Sequence, residues 1–280
     1  MTSPQVTRAM AWRRLPDTLA KSAGAGFVAV VVSIGACSNA AAWALTGHRV
    51  TAAIGDKYLS SEARAAIREI LEPGEGLAEA ANFPDFMRSS DDPFWKQAGP
   101  FHFVTVPKGK TYAEVGPPPQ GDAVTALKRF TDTLKSPTAS IDDKRVALRF
   151  TVHIIGDLHQ PLHNGNGLDT GANDVKVKLF GADTNLHSVW DEGLIEQEKL
   201  SYTEWTEWLS AKITDDMVRT WSNPDPLVWI AESTAVRDTI YPVDENLSFR
   251  YQFDHVGKLK EQLQKGGVRT AAYLNQLFAR

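Results

Sequence analysis

Apolar residues recur at helical spacing over most of the chain beyond residue 46. Val50, Ile54 and Tyr58 stand at i, i+4 and i+8 and predict a helix over Gly47 to Tyr58. Ser60 reads as the N-cap of a helix from Ser61 to Leu71, which Pro73-Gly74 stops. Val124, Leu127 and Leu134 predict a helix over Asp122 to Leu134. A long amphipathic helix over Asp142 to Leu158 ends before Pro161. Four more helices are expected over Leu186 to Gln197, Tyr202 to Thr220, Leu227 to Thr239 and His255 to Phe278. Two alternating runs, Phe101 to Val106 and Val175 to Phe180, predict short strands of a hairpin or ribbon. Between Val106 and Gly121, Pro107, Pro117, Pro118 and Pro119 predict an extended surface loop. No repeat and no linker composition interrupts the pattern. The expectation is an all-α fold, a single multi-helix domain with a short β-hairpin.

The first 42 residues follow a different pattern. Arg8, Arg13, Arg14 and Lys21 precede an apolar run from Gly24 to Ala36, and Ala40-Ala41-Ala42 follow it. That order is the order of a secretory signal peptide, with cleavage before Trp43. The run is shorter than the roughly 20 apolar residues needed to span a bilayer. Two other export readings attach to it: twin-arginine export through Arg13-Arg14, which the flanking residues fit poorly, and lipidation of Cys37 in Ile34-Gly35-Ala36-Cys37. The expected division is residues 1–42 as signal peptide and 43–280 as the domain, with a secreted or periplasmic product.

Cleavage changes the composition. The whole chain has 280 residues, a formal charge of −4, seven His and one Cys. Removing four cations and one carboxylate with the leader leaves 238 residues, a charge of −7 and no Cys. Such a domain has no disulfide and no thiolate zinc site, and its stability rests on its core or on metals. Its acidity excludes a broad basic surface gripping nucleic acid by charge alone.

Six of the seven His lie between Gly47 and His187. His153 and Asp157 are i, i+4 on one predicted helix, as are His187 and Asp191. That spacing puts both side chains on one face, about 5–6 Å apart at Cβ. His163 follows Pro161-Leu162, where the chain can fold back toward Asp157. Imidazole and carboxylate without thiolate suit Zn²⁺, with Mn²⁺ or Fe²⁺ as alternatives. Paired ions about 3.5–4 Å apart are typical of phosphate-ester hydrolysis.

Six segments in order carry a resemblance. They are Trp43-Ala-Leu-Thr-Gly-His48, Phe83-Pro-Asp85-Phe-Met-Arg88, His102-Phe103, His153-Ile-Ile-Gly-Asp157-Leu-His-Gln-Pro-Leu-His163, Gly171-Ala-Asn173 and Asn185-Leu-His187-Ser-Val-Trp-Asp191. Together they resemble the zinc-dependent single-strand-specific nucleases of fungi, plants and bacteria, within the phospholipase C/nuclease superfamily, and suggest a bacterial member. The resemblance implies three Zn²⁺ per chain. Asp85, His102, His153 and Asp157 would hold the first, and His163, His187 and Asp191 the second. Trp43, through its α-amine and carbonyl, would hold the third with His48 and Asp157. An α-amine is a ligand only at a true N-terminus, which favours cleavage before Trp43 over lipidation at Cys37.

The resemblance also implies hydrolysis of single-stranded DNA and RNA to 5′-mononucleotides by zinc-activated water, with 3′-nucleotidase activity. Asp85 would orient or deprotonate the water, Arg88 and Asn173 would contact the phosphate, and Phe103 would stack an unpaired base. Read alone, Arg88 is a surface cation, Asn173 a turn residue and Phe103 a core residue. Thr105 departs from the fungal pattern, which has an acidic residue there for the base. The expected partners are single-stranded nucleic acid and 3′-nucleotides, with a monomeric enzyme and no stable protein partner. The rivals are a zinc-dependent phospholipase C and a non-enzymatic exported zinc-binding protein. His159 is expected outside the cluster or exposed, His255 structural or solvated, and Trp205, Trp208, Trp221 and Trp229 in packing. The turn at Asn166 lacks the strand and Lys of a phosphate-binding loop.

Overall fold

The computed structural model describes residues 43–279. Residues 1–42, where the signal peptide and the alternative lipidation of Cys37 are expected, lie outside the described residues. The described chain is mostly helical, as its pattern predicts. Its first helices are α1 (Leu45–Lys57), α2 (Ser61–Ile70), α3 (Leu77–Ala80), α4 (Phe83–Met87), α5 (Pro93–Gln97), α6 (Tyr112–Val115), α7 (Ala123–Lys135) and α8 (Ile141–Leu158). After these come α9 (Leu186–Ser188), α10 (Leu194–Gln197), α11 (Tyr202–Ser210), α12 (Asp215–Trp221), α13 (Pro226–Arg237) and α14 (Phe249–Phe278).

Local chemistry sets many of the boundaries. Ser60 accepts a hydrogen bond from the Ala63 amide, and Ser140 accepts one from the Asp143 amide, each filling an open N-terminal donor. Helix α8 is amphipathic only in its first half. From Phe150 to Leu158 every residue is buried, so the helix ends inside the molecule. Helix α1 lies against α14, and Gly55 and Gly267 permit the approach.

Four expectations are corrected. The run from Phe101 to Val106 is not one strand: Gly99–His102 forms a 3₁₀ turn, and only β1 (Val104–Thr105) is extended. It pairs in parallel with β2 (Asn164–Gly165), so it is no hairpin. The real hairpin joins β3 (Lys176–Leu179) to β4 (Ala182–Asn185) through Phe180 and Gly181, both at positive φ as a primed turn requires. A short β5 (Asn246–Leu247) adds to β3 in parallel. The helix expected over Tyr202 to Thr220 breaks into α11 and α12, because Thr214 caps a new helix by accepting from the Met217 amide. The last helix starts at Phe249 rather than His255. Its first turns are held because Tyr251 is buried, accepting from Trp190 Nε1 and donating to the Ile240 carbonyl. Trp205 and Trp229 are core residues, whereas Trp208 is 55% exposed.

Two apolar clusters flank the centre. One gathers Phe130, Phe150, Trp95 and Leu127 around α7 and α8. The other gathers Trp43, Trp190, Trp205 and Leu263. Helix α1 contributes Ala52 to the first, and Val50 and Ile54 to the second. His48 and Thr51 on the same helix are buried, with the polar centre.

Candidate metal centre

The buried end of α8 brings His153 and Asp157 into the interior, both fully buried. Their separation of four residues sets His153 Nε2 3.1 Å from Asp157 Oδ2. The 3₁₀ turn after α5 carries His102, whose Nδ1 lies 2.8 Å from His153 Nε2 and 3.2 Å from Asp157 Oδ2. Helix α1 presents His48, with Nε2 3.4 Å from Asp157 Oδ1 and its ring stacked on His153 at 3.9 Å between centroids. Helix α4 brings Asp85, whose Oδ1 lies 3.9 Å from both His102 and His153. Beyond α8 the chain turns at Pro161, so His163 Nδ1 comes within 3.3 Å of Asp157 Oδ1. His187 and Asp191 face each other at 3.0 Å, and His163 Nε2 lies 3.7 Å from the same carboxylate. Asp191 sits in a single π turn, Val189–Gly193, a distortion found most often at functional sites.

Three groups result, each with donor atoms close enough to share one ion: His48, His153 and Asp157; Asp85, His102 and His153; His163, His187 and Asp191. His153 belongs to two of them. The expectation gave His153 to one ion and made Asp157 the bridge; here His153 is in two groups and Asp157 in one, with Asp157 also 3.2 Å from His102 and 3.3 Å from His163.

Many of the donor atoms make no hydrogen bond in the core. His48 Nδ1 and Nε2, Asp85 Oδ1, His102 Nε2, Asp157 Oδ1, His163 Nε2 and His187 Nε2 are buried without a hydrogen-bond partner. Leaving so many polar atoms unpaired costs roughly 1–3 kcal/mol each unless a cation takes them. Opposite ring nitrogens are held by backbone carbonyls. His153 Nδ1 donates to Ala81, His163 Nδ1 to His102, and His187 Nδ1 to Gly171, at 2.6, 2.8 and 2.6 Å. That arrangement holds Nδ1 as the donor and turns Nε2 toward the group.

The buried carboxylates and imidazoles shift one another. Burial works against ionising Asp157, but His153 and His163 outweigh it and hold the carboxyl well below the usual range. Burial likewise opposes a charged His163, yet Asp157 raises it to about 9. Burial lowers His48 and His102, so those rings are neutral.

The residues expected to meet substrate surround the groups. Arg88 Nη1 lies 3.5 Å from Asp85 Oδ1. Phe103 is 46% exposed beside His102, so it is not a core residue. Asn173 is buried, its amide donating to the Thr170 carbonyl at 2.9 Å. Trp43 is buried, its indole donating to the Gly156 carbonyl at 2.8 Å. The next amide, Ala44, donates to the Asp191 carbonyl at 3.0 Å. His159 lies outside the groups but is fully buried, not exposed: Nδ1 meets the Ile155 carbonyl and Nε2 meets Arg269.

Several supporting residues were not found from the sequence. Gln160 donates its side-chain amide to Asp191 and accepts from the Leu162 amide, which fixes the carboxylate facing His187. Its place between Asp157 and His163 was the one available signal. Arg237, fully buried, donates to the Val106 and Asn164 carbonyls and so pins the strands beside His102 and His163. Tyr241 and Asp169 brace the turn that carries Gly171 and Asn173. Neither Arg237 nor Tyr241 lies near a motif in sequence.

The S1/P1 Nuclease family model matches residues 43–279. "Endonuclease 4" of Arabidopsis thaliana is 30% identical, over 90% of this chain and 95% of the relative. "Nuclease S1" of Aspergillus oryzae is 27% identical, over 83% and 91%. "Nuclease P1" of Penicillium citrinum is 26% identical, over 84% and 97%. The match spans every element that delivers a His or Asp to the three groups, from Leu45 to Asp191 and on to the bracing helix α14, and this chain therefore belongs to the S1/P1 nuclease family, enzymes that hydrolyse nucleic acids.

Proposed function

We propose that the chain is an exported zinc-dependent phosphodiesterase that cleaves single-stranded DNA and RNA to 5′-mononucleotides and also removes 3′-phosphates. The supporting observation is the set of buried donor atoms without hydrogen-bond partners, spread over three overlapping groups built only from imidazole and carboxylate. Such a donor set fits Zn²⁺. Bound there, zinc supplies Lewis-acid polarisation of the phosphate and acidifies a coordinated water. Cleavage before Trp43 would add its α-amine to His48 and Asp157. The indole bond to Gly156 supports this by anchoring the residue on α8.

The chain's own residues do the rest. Asp85 is 11% exposed, more open than His48, His153 or Asp157, and so is placed to orient the incoming nucleophile or take its proton. Arg88, 28% exposed and beside Asp85, pairs with the phosphate as negative charge grows on it. Asn173, held by Thr170, keeps an amide oxygen and one N–H for the same group. Phe103 offers its face to an unpaired base; a stacked, paired base cannot reach it.

The test is hydrolysis by purified residues 43–280 loaded with zinc. The substrates are denatured DNA, RNA, adenosine 3′-monophosphate and phosphatidylcholine. Release of 5′-mononucleotides and of phosphate, lost on chelation and regained with zinc, is the expected result. Lipid cleavage without nucleotide release, or bound zinc without hydrolysis, overturns the reading. N-terminal sequencing of the exported protein should give Trp43.

A further inference from the structure

A cleft of about 580 Å³ opens beside Asp85. Its walls include Leu45, Phe86, Met87, Ser89 and Glu192. Phe86 is 76% and Leu45 50% exposed, and both line the cleft as neighbouring apolar faces. Among the described residues this lining holds no Lys or Arg, so the cleft does not suit a phosphate. An aromatic face beside serine hydroxyls and a carboxylate suits a planar ring with exocyclic amino groups. A second cleft, about 650 Å³, shares Leu45 and Phe86 and adds Asn82 and Arg49. Asn82 is 8% exposed, and neither of its amide atoms has a hydrogen-bond partner. An amide donor and acceptor held together form the pair that reads a base edge. Phe103 lies in neither lining.

We propose that the groove running from Asp85 over Phe86 and Leu45 toward Asn82 binds an unpaired nucleobase of the substrate strand, on the opposite side of the scissile phosphate from the base that Phe103 takes. Continuity decides the occupant. The groove starts at a carboxylate of the metal centre, so a strand whose phosphate sits there runs directly into it. Arg49 lies farther along, with its guanidinium 5.8 Å from the Tyr202 ring, where the next phosphate of a longer strand would pass. The enzyme would then hold one base on each side of the bond, and a duplex, whose bases are stacked, could satisfy neither platform. This inference rests on the proposed phosphodiesterase function.

The experiment uses zinc-loaded protein and two dinucleotides, each lacking the base on one side of the phosphodiester. In the wild type, each missing base should lower kcat/KM at least about fivefold relative to the intact dinucleotide. In Phe86→Ala, the penalty for one abasic substrate should vanish while the other persists; Phe103→Ala should show the reverse. Phe86→Trp should restore the lost penalty. Phe86 is exposed, so its variants keep the core, and an unchanged melting temperature checks this. The inference is overturned if Phe86→Ala keeps both penalties, or loses the same one as Phe103→Ala. If the zinc-loaded wild type cleaves neither the intact dinucleotide nor a 3′-mononucleotide, the proposed function itself has failed, a result distinct from the others.

Discussion

Tyr241 donates its hydroxyl to Asp169 Oδ2 at 2.6 Å, joining residues 72 positions apart. The other Asp169 oxygen accepts from the Ala172 amide, and Asn166 donates to both Asp169 and Tyr241. Between them run Thr170, Gly171 and Ala172, at φ of 55°, 62° and 66°. Left-handed backbone at a non-glycine residue costs roughly 1–3 kcal/mol and persists only where its surroundings enforce it. The strained turn places the Gly171 carbonyl against His187 Nδ1 and Asn173 beside it. Burial, and then Asp169, raise the Tyr241 phenol above its ordinary range, so it stays a donor.

Removing that donor should loosen the turn. Tyr241→Phe is expected to lose about 1–2 kcal/mol of stability. Zinc affinity at the His163, His187 and Asp191 group should fall about tenfold or more, as for other residues that orient a metal-bound imidazole. Competition titration with a chelator reads the second effect. Unchanged zinc affinity would mean that the turn holds His187 without Tyr241.

Because His153 lies in two groups and His187 in one, their alanine variants should differ in metal content. His153→Ala should lose more zinc per chain than His187→Ala, measured by atomic emission on dialysed protein. Complete chelation of the wild type should abolish activity and lower the melting temperature, because a ligand at a hundred times its Kd stabilises by about 2.7 kcal/mol. Equal zinc contents in the two variants would contradict the shared role of His153.

Two glycines separate stability from site geometry. A Cβ at Gly267 would meet Ile54 Cγ2 at 2.4 Å and the Thr51 carbonyl at 3.0 Å, so α1 and α14 would have to part. Gly267→Ala should cost about 1–3 kcal/mol, read by denaturant unfolding. A Cβ at Gly156 would meet His48 Nδ1 at 2.9 Å. Gly156→Ala should displace that ring and lower kcat more than it lowers stability. The opposite ranking of kcat losses would place His48 outside the working centre.

His159 gives the acid limb of stability a definite sign. Burial first, and then the Arg269 charge, lower its pKa from 6.5 to about 3. Below pH 6.5 the unfolded chain takes up a proton that the folded chain refuses, so this contribution is full above 6.5 and falls toward pH 3. The loss amounts to about 2 kcal/mol between pH 6.5 and pH 5. In excess zinc, the stability advantage of wild type over His159→Gln should shrink as pH falls from 7 to 5. A constant difference in melting temperature would show that His159 is protonated in the fold.

The local pattern along the chain determined the helices. Capping serines, 3.6-residue periodicity and the His-x-x-x-Asp spacing are properties of a few consecutive residues, and so is the set of ligand types that excludes thiolate. They sufficed to bring together His153, Asp157, His163, His187 and Asp191, whereas His48, Asp85 and His102 came only from the family resemblance. Where neighbours in space override local preference, the pattern failed. Tyr251 is held by Trp190 and Ile240, which extends the last helix upstream. The break at Thr214 is different: it is a local cap, on the Met217 amide, inside a run whose periodicity reads as continuous. Only the tertiary structure decided that His153 serves two groups, that Gln160 fixes Asp191, and that Tyr241 and Arg237 brace the ligand-bearing turns. It alone set Leu45 beside Asp85 and Phe86. Those relationships depend on distances between residues far apart in the chain, and packing fixes such distances only once α1, α8 and α14 close around the centre.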